Sequence, residues 1–194
     1  MISPKGVTRL GKGLGRLDMK ATMKDRQAMS KPEMTFPSPN HGARRLGAPD
    51  MIVIHYTGME SCAAARERLC APEFEVSAHY LIDLDGTVEQ LVEENRRAWH
   101  AGVSEWGGEA DVNSRSIGIE LANKGAGPDY HPFPAPQIAA LEALINSIRS
   151  RWAIEPANIV GHEDIAPGRK IDPGPKFDWA RLRRLGLASG PRLP

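Results

Sequence analysis

The stretch Met51-Ile-Val-Ile-His-Tyr56 is the first strong strand signal of the chain. Because successive side chains of a strand point to opposite faces, the two isoleucines share one face with Tyr56, and Val53 shares the other with His55. His55 therefore stands near the end of a predicted strand. Such a histidine can be a structural residue of the sheet or a functional imidazole, since open α/β sheets tend to bind ligands at the carboxyl ends of their strands.

A second apolar stretch, Ser116-Ile-Gly-Ile-Glu-Leu121, shows the same alternation and places Glu120 on the face opposite its isoleucines. A carboxylate among apolar neighbours is costly to bury unless it is paired or its pKa is raised. Both situations suit general acid/base catalysis or metal binding. The alternative is an edge strand whose glutamate faces solvent.

The remaining signals mix further strands with helices. Residues 78–92 predict a hairpin whose turn is Asp83-Leu-Asp-Gly86. Residues 136–152 place apolar side chains at helical spacing, with Pro136 in the first turn, and predict the best helix, packed on the sheet. The other predicted elements are a short helix over 62–69 capped by Ser61, a last strand over 158–162 and a closing helix over 178–185. We therefore predict an α/β fold, a single domain over residues 36–190 with a mixed central β-sheet flanked by helices.

The first 35 residues differ from the rest of the chain in charge. They carry eight Lys/Arg against three Asp/Glu, whereas the whole chain of 194 residues has a net charge of only +1. They contain few large apolar residues and no sustained period, so we predict a basic, flexible leader over residues 1–35. A nucleic-acid partner would depend on that leader alone, and we expect none.

Membrane and export signals are missing from the sequence as written. No run approaches the roughly 18 apolar residues of a membrane-spanning helix, and no apolar stretch typical of a secretory signal stands at the N-terminus. We therefore expect a cytoplasmic protein without an integral membrane segment. Methionines at positions 19, 23, 29 and 34 leave open a start further in, and with it an envelope location.

The closing segment Gly161-His-Glu-Asp-Ile-Ala-Pro-Gly-Arg-Lys-Ile-Asp-Pro-Gly-Pro175 is polar, yet its prolines make it stiff. His162 and Asp172 from this segment, meeting His55, would supply three N/O ligands and leave a fourth tetrahedral position for water. The only two cysteines, Cys62 and Cys70, are too far apart in a predicted helix to be bridged and do not support a cysteine site. The pattern is that of a hydrolytic zinc site.

Five segments carry a resemblance to a known family: Val53-Ile-His-Tyr-Thr57, Val76-Ser-Ala-His-Tyr-Leu-Ile82, Ala98-Trp-His-Ala-Gly102, Ser116-Ile-Gly-Ile-Glu120 and the closing segment. In order and spacing they resemble the type-2 N-acetylmuramoyl-L-alanine amidases. That family includes the AmpD and AmiD enzymes and belongs with peptidoglycan-recognition proteins and phage amidases. The resemblance runs from about residue 37 to residue 187, and the closing segment is its most specific part.

The resemblance implies an enzyme that hydrolyses the amide between the lactyl group of muramic acid and the first L-alanine of a peptidoglycan stem peptide. It implies a zinc ion held by His55, His162 and Asp172, the positions that match the family's ligands. Glu120 matches the acidic residue expected to activate the attacking water, and Lys170 the cation expected to steady the oxyanion. The implied partners are peptidoglycan fragments (muropeptides), in cell-wall turnover or recycling, and we expect the chain to act as a monomer.

Four further residues are candidates for the substrate groove, with ordinary packing as the alternative: Arg97, Trp99, His100 and His79. For the chain as a whole, one competing hypothesis is a peptidoglycan-binding module on the same fold that has lost catalysis. Such a module typically lacks a ligand or the base, whereas this sequence has all of them. Another is an interaction protein with a structural metal, but closed structural sites use four protein ligands, usually with cysteine.

Overall fold

The computed structural model describes residues 34, 36–127 and 130–189. Apart from Met34, the leader predicted over residues 1–35 lies outside the described residues. The strands and α-helices of the described residues, in chain order, are β1 (His41–Ala43), β2 (Met51–Tyr56), α1 (Cys62–Cys70), β3 (Tyr80–Ile82), β4 (Val88–Gln90), β5 (Arg96–Ala98), β6 (Glu105–Trp106), β7 (Glu109–Ala110), α2 (Val112–Arg115), β8 (Ser116–Leu121), α3 (Ala135–Arg151), β9 (Ile159–Gly161), α4 (His162–Ile165) and α5 (Trp179–Arg184).

The central sheet has five strands in the order β4-β3-β8-β2-β9. Strands β3, β8, β2 and β9 run parallel, and β4 pairs antiparallel with β3 as the predicted hairpin. The predicted mixed sheet is thereby confirmed. Strand β8 lies in the middle of the sheet, so the alternative that placed Glu120 on an edge strand is wrong.

The two faces of β2 and β8 follow the predicted alternation. One face carries Ile52 and Ile54 of β2 and packs against the apolar stripe of α3 in the main core. On the opposite face Met51 and Val53 pack against Val112 of α2 and Ile165 of α4. Helix α1 also packs on the sheet, through contacts of its buried apolar residues with β3. Helices thus flank the sheet on both faces, as the sequence predicts.

Local signals explain where the helices begin. The Ser61 hydroxyl accepts a hydrogen bond of 3.1 Å from the Ala64 N–H and caps α1, as predicted. Helix α3 has Pro136 in its first turn, where a missing N–H is tolerated. The Asp178 carboxylate accepts a hydrogen bond of 2.8 Å from the Arg181 N–H and caps α5. The predicted and observed ends of these helices differ by at most one residue.

Several short elements were not predicted. Strands β1 and β5 pair with each other, β6 and β7 form a small hairpin, and α2 and α4 have four residues each. Elements this short cannot display a hydrophobic period. Both cysteines are free thiols, as their spacing predicts. Among the described residues no helix combines the length and apolar character needed to cross a membrane.

Candidate functional site

A cleft opens at the carboxyl ends of the parallel strands. Strand β2 brings His55 there, β8 brings Glu120 as the register partner of His55, and β9 leads directly into His162. The cleft encloses about 430 Å³, and these three residues line it together with Lys170 and Asp172. Strand ends of a parallel sheet meet at one edge, which explains how residues more than 100 positions apart converge.

The start of α4 also positions Asp172. The Asp164 carboxylate accepts a hydrogen bond of 2.7 Å from the Gly161 N–H, which fixes the turn from β9 into α4. The Glu163 N–H then donates to the Asp172 carbonyl oxygen at 2.9 Å and draws the returning loop back to the helix. His162 and Asp172 are therefore neighbours in space although they lie ten positions apart in the sequence.

Three predicted metal ligands converge on one point. The Nδ1 atoms of His55 and His162 lie 2.9 Å apart, and each is 3.1 Å from Asp172 Oδ2. Donors at about 2.0–2.1 Å from a tetrahedral zinc ion would be separated by about 3.3 Å, close to this triangle. All three side chains are buried, with exposures of 1%, 3% and 7%. The donor set and its spacing fit a metal ion.

The protonation states of this group also suit a metal. Burial lowers the pKa of His55 to about 4, a shift that Asp172 only partly offsets, so the imidazole is neutral at neutral pH. Burial would raise the pKa of Asp172, but its contacts with His162 and His55 outweigh that effect and hold the pKa well below its usual range. Neutral imidazoles and an ionised carboxylate are the forms that bind metals.

Glu120 has a different environment from the ligands. Among the described residues, nothing forms a hydrogen bond with its buried Oε2 atom. Burial, together with the nearby charge of Asp172, raises the pKa of Glu120 to about 8, although Lys170 opposes the shift. A cleft carboxyl with a free oxygen and a pKa near neutral can take up and release a proton.

Lys170 and its neighbour Arg169 stand on the loop after α4. The Lys170 N–H donates to the Ala166 carbonyl oxygen at 3.0 Å, and the side chain of Lys170 lines the cleft. The Arg169 guanidinium instead donates to the carbonyl oxygens of Ala101 and Val103, at 2.8 and 2.5 Å. Both residues line the cleft, but the Arg169 guanidinium is bonded to these two carbonyl oxygens, which makes Lys170 the candidate cation for an oxyanion.

The structure places the four groove candidates differently. Trp99 and His100 line the cleft. The Arg97 guanidinium pairs with Asp111 at 2.6 Å, and His79 is fully buried. Neither Arg97 nor His79 belongs to the described lining of the cleft, and their contacts match the packing alternative. A substrate-binding role for each of these four stays a prediction.

Other lining residues were not singled out from the sequence. Tyr56 and Thr57 directly follow His55 in the sequence and line the cleft. Their position next to a candidate ligand is a sequence signal that could have identified them. Arg68 of α1 also lines the cleft, with its guanidinium 4.5 Å from the centre of the Phe74 ring. No local sequence pattern places Arg68 at the cleft, because the position of α1 depends on its contacts with β3.

Comparisons with known proteins identify the family of the chain. A family model described as N-acetylmuramoyl-L-alanine amidase matches residues 45–175. The chain is 42% identical over 156 residues to the amidase AmiD of Escherichia coli (strain K12), covering 73% of this chain and 54% of that protein. It is 47% identical over 110 residues to the 1,6-anhydro-N-acetylmuramyl-L-alanine amidase AmpD of Citrobacter freundii, covering 57% of each. The chain thus spans about half the length of these curated relatives.

A solved structure shares the fold as well as the sequence. The complex of Escherichia coli AmiD with the substrate anhydro-N-acetylmuramic acid-L-Ala-D-gamma-Glu-L-Lys superposes with a TM-score of 0.67 at 40% identity. The match covers 75% of this chain and 61% of that one. Together with the family match over residues 45–175, these similarities establish that the chain belongs to the N-acetylmuramoyl-L-alanine amidase family.

Proposed function

We propose that this chain is a zinc-dependent N-acetylmuramoyl-L-alanine amidase. It would hydrolyse the lactyl-L-Ala amide of peptidoglycan or of released muropeptides, including 1,6-anhydro-muropeptides, in cell-wall turnover or recycling. The observation that carries the proposal is the convergence of three metal-ligand atoms beside a cleft carboxyl, Glu120, that has a free oxygen. The names of AmpD and AmiD, and the anhydro-muropeptide substrate in the AmiD complex, support this substrate class.

The donor set decides which metal is proposed. Two imidazole nitrogens and one carboxylate oxygen suit zinc, and three protein ligands leave a position open, as in catalytic zinc sites. Zinc held there would supply Lewis-acid chemistry, which would lower the pKa of water towards about 7 and polarise the scissile carbonyl.

The proton transfers fall to Glu120. Its free Oε2 would accept the proton of the attacking water and then give it to the amide nitrogen of L-alanine as the C–N bond breaks. One group can do both because the carboxylate that takes the proton from water becomes the carboxylic acid that gives it up. The amide carbon gains the water oxygen as a carboxyl group, and the stem peptide leaves with a free amino terminus.

Lys170 would act on the carbonyl oxygen. Negative charge develops there as water adds to the amide carbon, and a fixed cation offsets it. Lys170 lines the same cleft as Glu120 and stands two residues before Asp172 on a loop stiffened by proline. The rival hypothesis is a peptidoglycan-binding module without catalysis. It gains no support from a site in which the three residues proposed as ligands and the one proposed as base are all present.

The test combines metal dependence with product identity. Purified protein would be stripped with a chelator, reconstituted with zinc or with magnesium, and given either intact sacculi or isolated anhydro-muropeptides. Mass spectrometry should find a stem peptide with a free N-terminal L-alanine, produced only after zinc is restored. Full activity of the stripped protein would refute the metal mechanism, and cleavage at any other bond would refute the assigned reaction.

The same preparations test the predicted monomer. Light scattering after size-exclusion chromatography should give the mass of one chain, 21.2 kDa. A mass of twice that value would show that the chain associates with itself.

A further inference from the structure

Two adjacent residues lie within hydrogen-bond distance of the Nε2 atoms of His55 and His162, the ring nitrogens that do not face the proposed metal site. His100 Nδ1 lies 3.0 Å from His55 Nε2, and the Ala101 carbonyl oxygen lies 3.0 Å from His162 Nε2. We propose that the segment His100–Ala101 sets the tautomer and orientation of both ligands, with His100 as a positioning residue that acts through His55. The proposal rests on the metal site of the proposed function, but it concerns metal affinity rather than the amidase reaction.

The hydrogen-bond chain behind His55 has only one consistent direction. The Ser116 hydroxyl lies 2.7 Å from the Val112 carbonyl oxygen, which can only accept, so the hydroxyl donates there. Ser116 Oγ must then accept from His100 Nε2, 3.1 Å away. A neutral His100 protonated on Nε2 has a bare Nδ1, which accepts from His55 Nε2. His55 is left with its Nδ1 lone pair facing the metal site.

Ala101 does the same for His162 through its backbone. Its carbonyl oxygen can only accept, so His162 carries its proton on Nε2 and turns a bare Nδ1 toward the site. Both ligands thus present the nitrogen that the metal needs. Hydrogen bonding at the far ring nitrogen is the usual way in which proteins fix the tautomer of a metal-binding histidine.

The backbone of this segment is itself held in place. The Asn113 side-chain oxygen accepts hydrogen bonds from the N–H groups of His100 and Ala101, at 3.0 and 2.9 Å. Asn113 is buried, and it belongs to α2, the helix that leads into β8. One amide group therefore fixes both residues that contact the ligands.

The fold also reserves space for the His100 ring. A Cβ atom at Gly118 would lie 2.4 Å from His100 Cγ and 2.5 Å from Cδ2, well inside contact distance. Glycine in the interior of a strand weakens it, so its presence in the middle strand needs a reason. The close approach of this imidazole is such a reason, because any larger residue at position 118 would displace the His100 ring.

The test compares four variants of the full chain by their zinc affinity, measured by competition with a chromophoric chelator. His100→Leu removes both ring nitrogens, whereas His100→Asn keeps an acceptor where Nδ1 stood. Ser116→Ala removes the hydroxyl that orients His100. Ser114→Ala is the matched control, because Ser114 is equally buried but its hydroxyl contacts Arg97 and Asp111 instead.

Loss of a residue that forms a hydrogen bond with a metal ligand typically lowers metal affinity by roughly 10-fold to 100-fold. We expect a loss of that size for His100→Leu, a smaller loss for Ser116→Ala, and near wild-type affinity for His100→Asn and Ser114→Ala. In the metal-free protein, heteronuclear NMR of the histidine rings should show the His55 proton on Nε2 in the wild type and a mixture of tautomers in Ser116→Ala. A purely structural role for His100 would lower the melting temperature without changing that proton.

Three outcomes would overturn the inference. They are wild-type zinc affinity in both His100→Leu and Ser116→Ala, equal losses in Ser116→Ala and Ser114→Ala, and a His55 proton on Nδ1 in the wild type. If His100→Leu does not fold, Ser116→Ala with its control decides the matter. A wild-type chain that binds zinc in this way but releases no stem peptide would refute the proposed function and leave the inference standing. A wild-type chain that binds no zinc would refute both.

Discussion

Two glutamates of this protein, the buried Glu94 and the partly buried Glu120, have opposite surroundings. The Glu94 carboxylate accepts hydrogen bonds from Tyr80 at 2.7 Å, from Arg151 at 2.6 and 2.9 Å, and from Trp152 at 2.7 Å. Burial alone would raise the pKa of Glu94, but these hydrogen bonds outweigh it and lower the pKa. The Oε2 atom of Glu120 has no such partner among the described residues, and the pKa of Glu120 is raised to about 8.

The difference separates a structural carboxylate from a chemical one. Glu94 has used its hydrogen-bonding capacity within the fold, where it joins β3 to the end of α3. Glu120 keeps capacity free at the wall of a cleft. A buried polar atom left unsatisfied costs stability, so its persistence beside three candidate metal ligands indicates a function. The same substitution at the two positions should therefore have opposite consequences.

The largest expected effect is on turnover. Glu120→Gln keeps the shape of the side chain but removes its proton transfer, so kcat should fall by roughly 10² to 10⁴. Glu94→Gln should leave kcat close to the wild-type value, because Glu94 lies outside the described lining of the cleft. Release of stem peptide from an anhydro-muropeptide measures both. Equal losses of kcat in the two variants would contradict the distinction.

Lys170→Ala tests whether Lys170 stabilises the oxyanion without holding the metal. Removing one stabilising group from an oxyanion costs roughly 10² to 10³ in kcat, and zinc content should be unchanged because Lys170 is not a ligand. Arg169→Ala removes a neighbouring cation that also lines the cleft but is bonded to the carbonyl oxygens of Ala101 and Val103, so it should slow turnover less than Lys170→Ala does. A Lys170→Ala variant with wild-type kcat would remove the lysine from the mechanism.

Stability should show the opposite pattern. Glu94→Gln removes charged hydrogen bonds to Arg151 and should lower the free energy of unfolding by about 2 kcal/mol. Glu120→Gln replaces a carboxyl that has a free oxygen and a raised pKa, so the free energy of unfolding should not fall. Urea denaturation of the metal-free proteins measures both changes. A larger loss for Glu120→Gln than for Glu94→Gln would contradict the comparison.

A smaller effect concerns pH. The pKa of Glu94 is lower in the folded state than its unfolded value of about 4.3, so its stabilisation is present above that value and is lost as the pH falls through the folded pKa. The difference in unfolding free energy between wild type and Glu94→Gln should therefore be constant from neutral pH down to about 5 and then shrink. The two proteins share every other titrating group, so the difference isolates Glu94. A difference that grows on acidification would show that the pKa is raised instead.

The sequence predicts that Glu120 belongs to the site, but it does not predict that Glu94 is buried. Glu120 is a carboxylate within an otherwise apolar alternating strand, and that local pattern singles it out without any knowledge of its spatial neighbours. Glu94 lies in the polar stretch Glu93-Glu-Asn-Arg96, which reads as an exposed turn. It is buried because Tyr80, Arg151 and Trp152 come to it from distant positions, and no local pattern shows that.

The same limit applies to the metal site. His55, His162 and Asp172 could be predicted as candidate ligands because two lie in a stiff polar segment and one lies near the end of a strand. The roles of Asn113, Ala101 and Gly118 depend on a side-chain oxygen, a carbonyl group and an empty space that become neighbours only in the fold. Sequence patterns thus predict the ligands better than the residues that orient them.

The central claim is the division between ligands and base, and zinc content measured beside product formation tests it most directly. Wild type, His162→Ala and Glu120→Gln would be prepared identically, and each sample analysed for bound zinc and for stem peptide released. His162→Ala leaves two protein donors, so zinc and turnover should be lost together. Glu120→Gln should hold about one zinc per chain while turnover falls by the roughly 10² to 10⁴ stated above. Loss of zinc from Glu120→Gln, or a full complement of zinc in His162→Ala, would contradict the account.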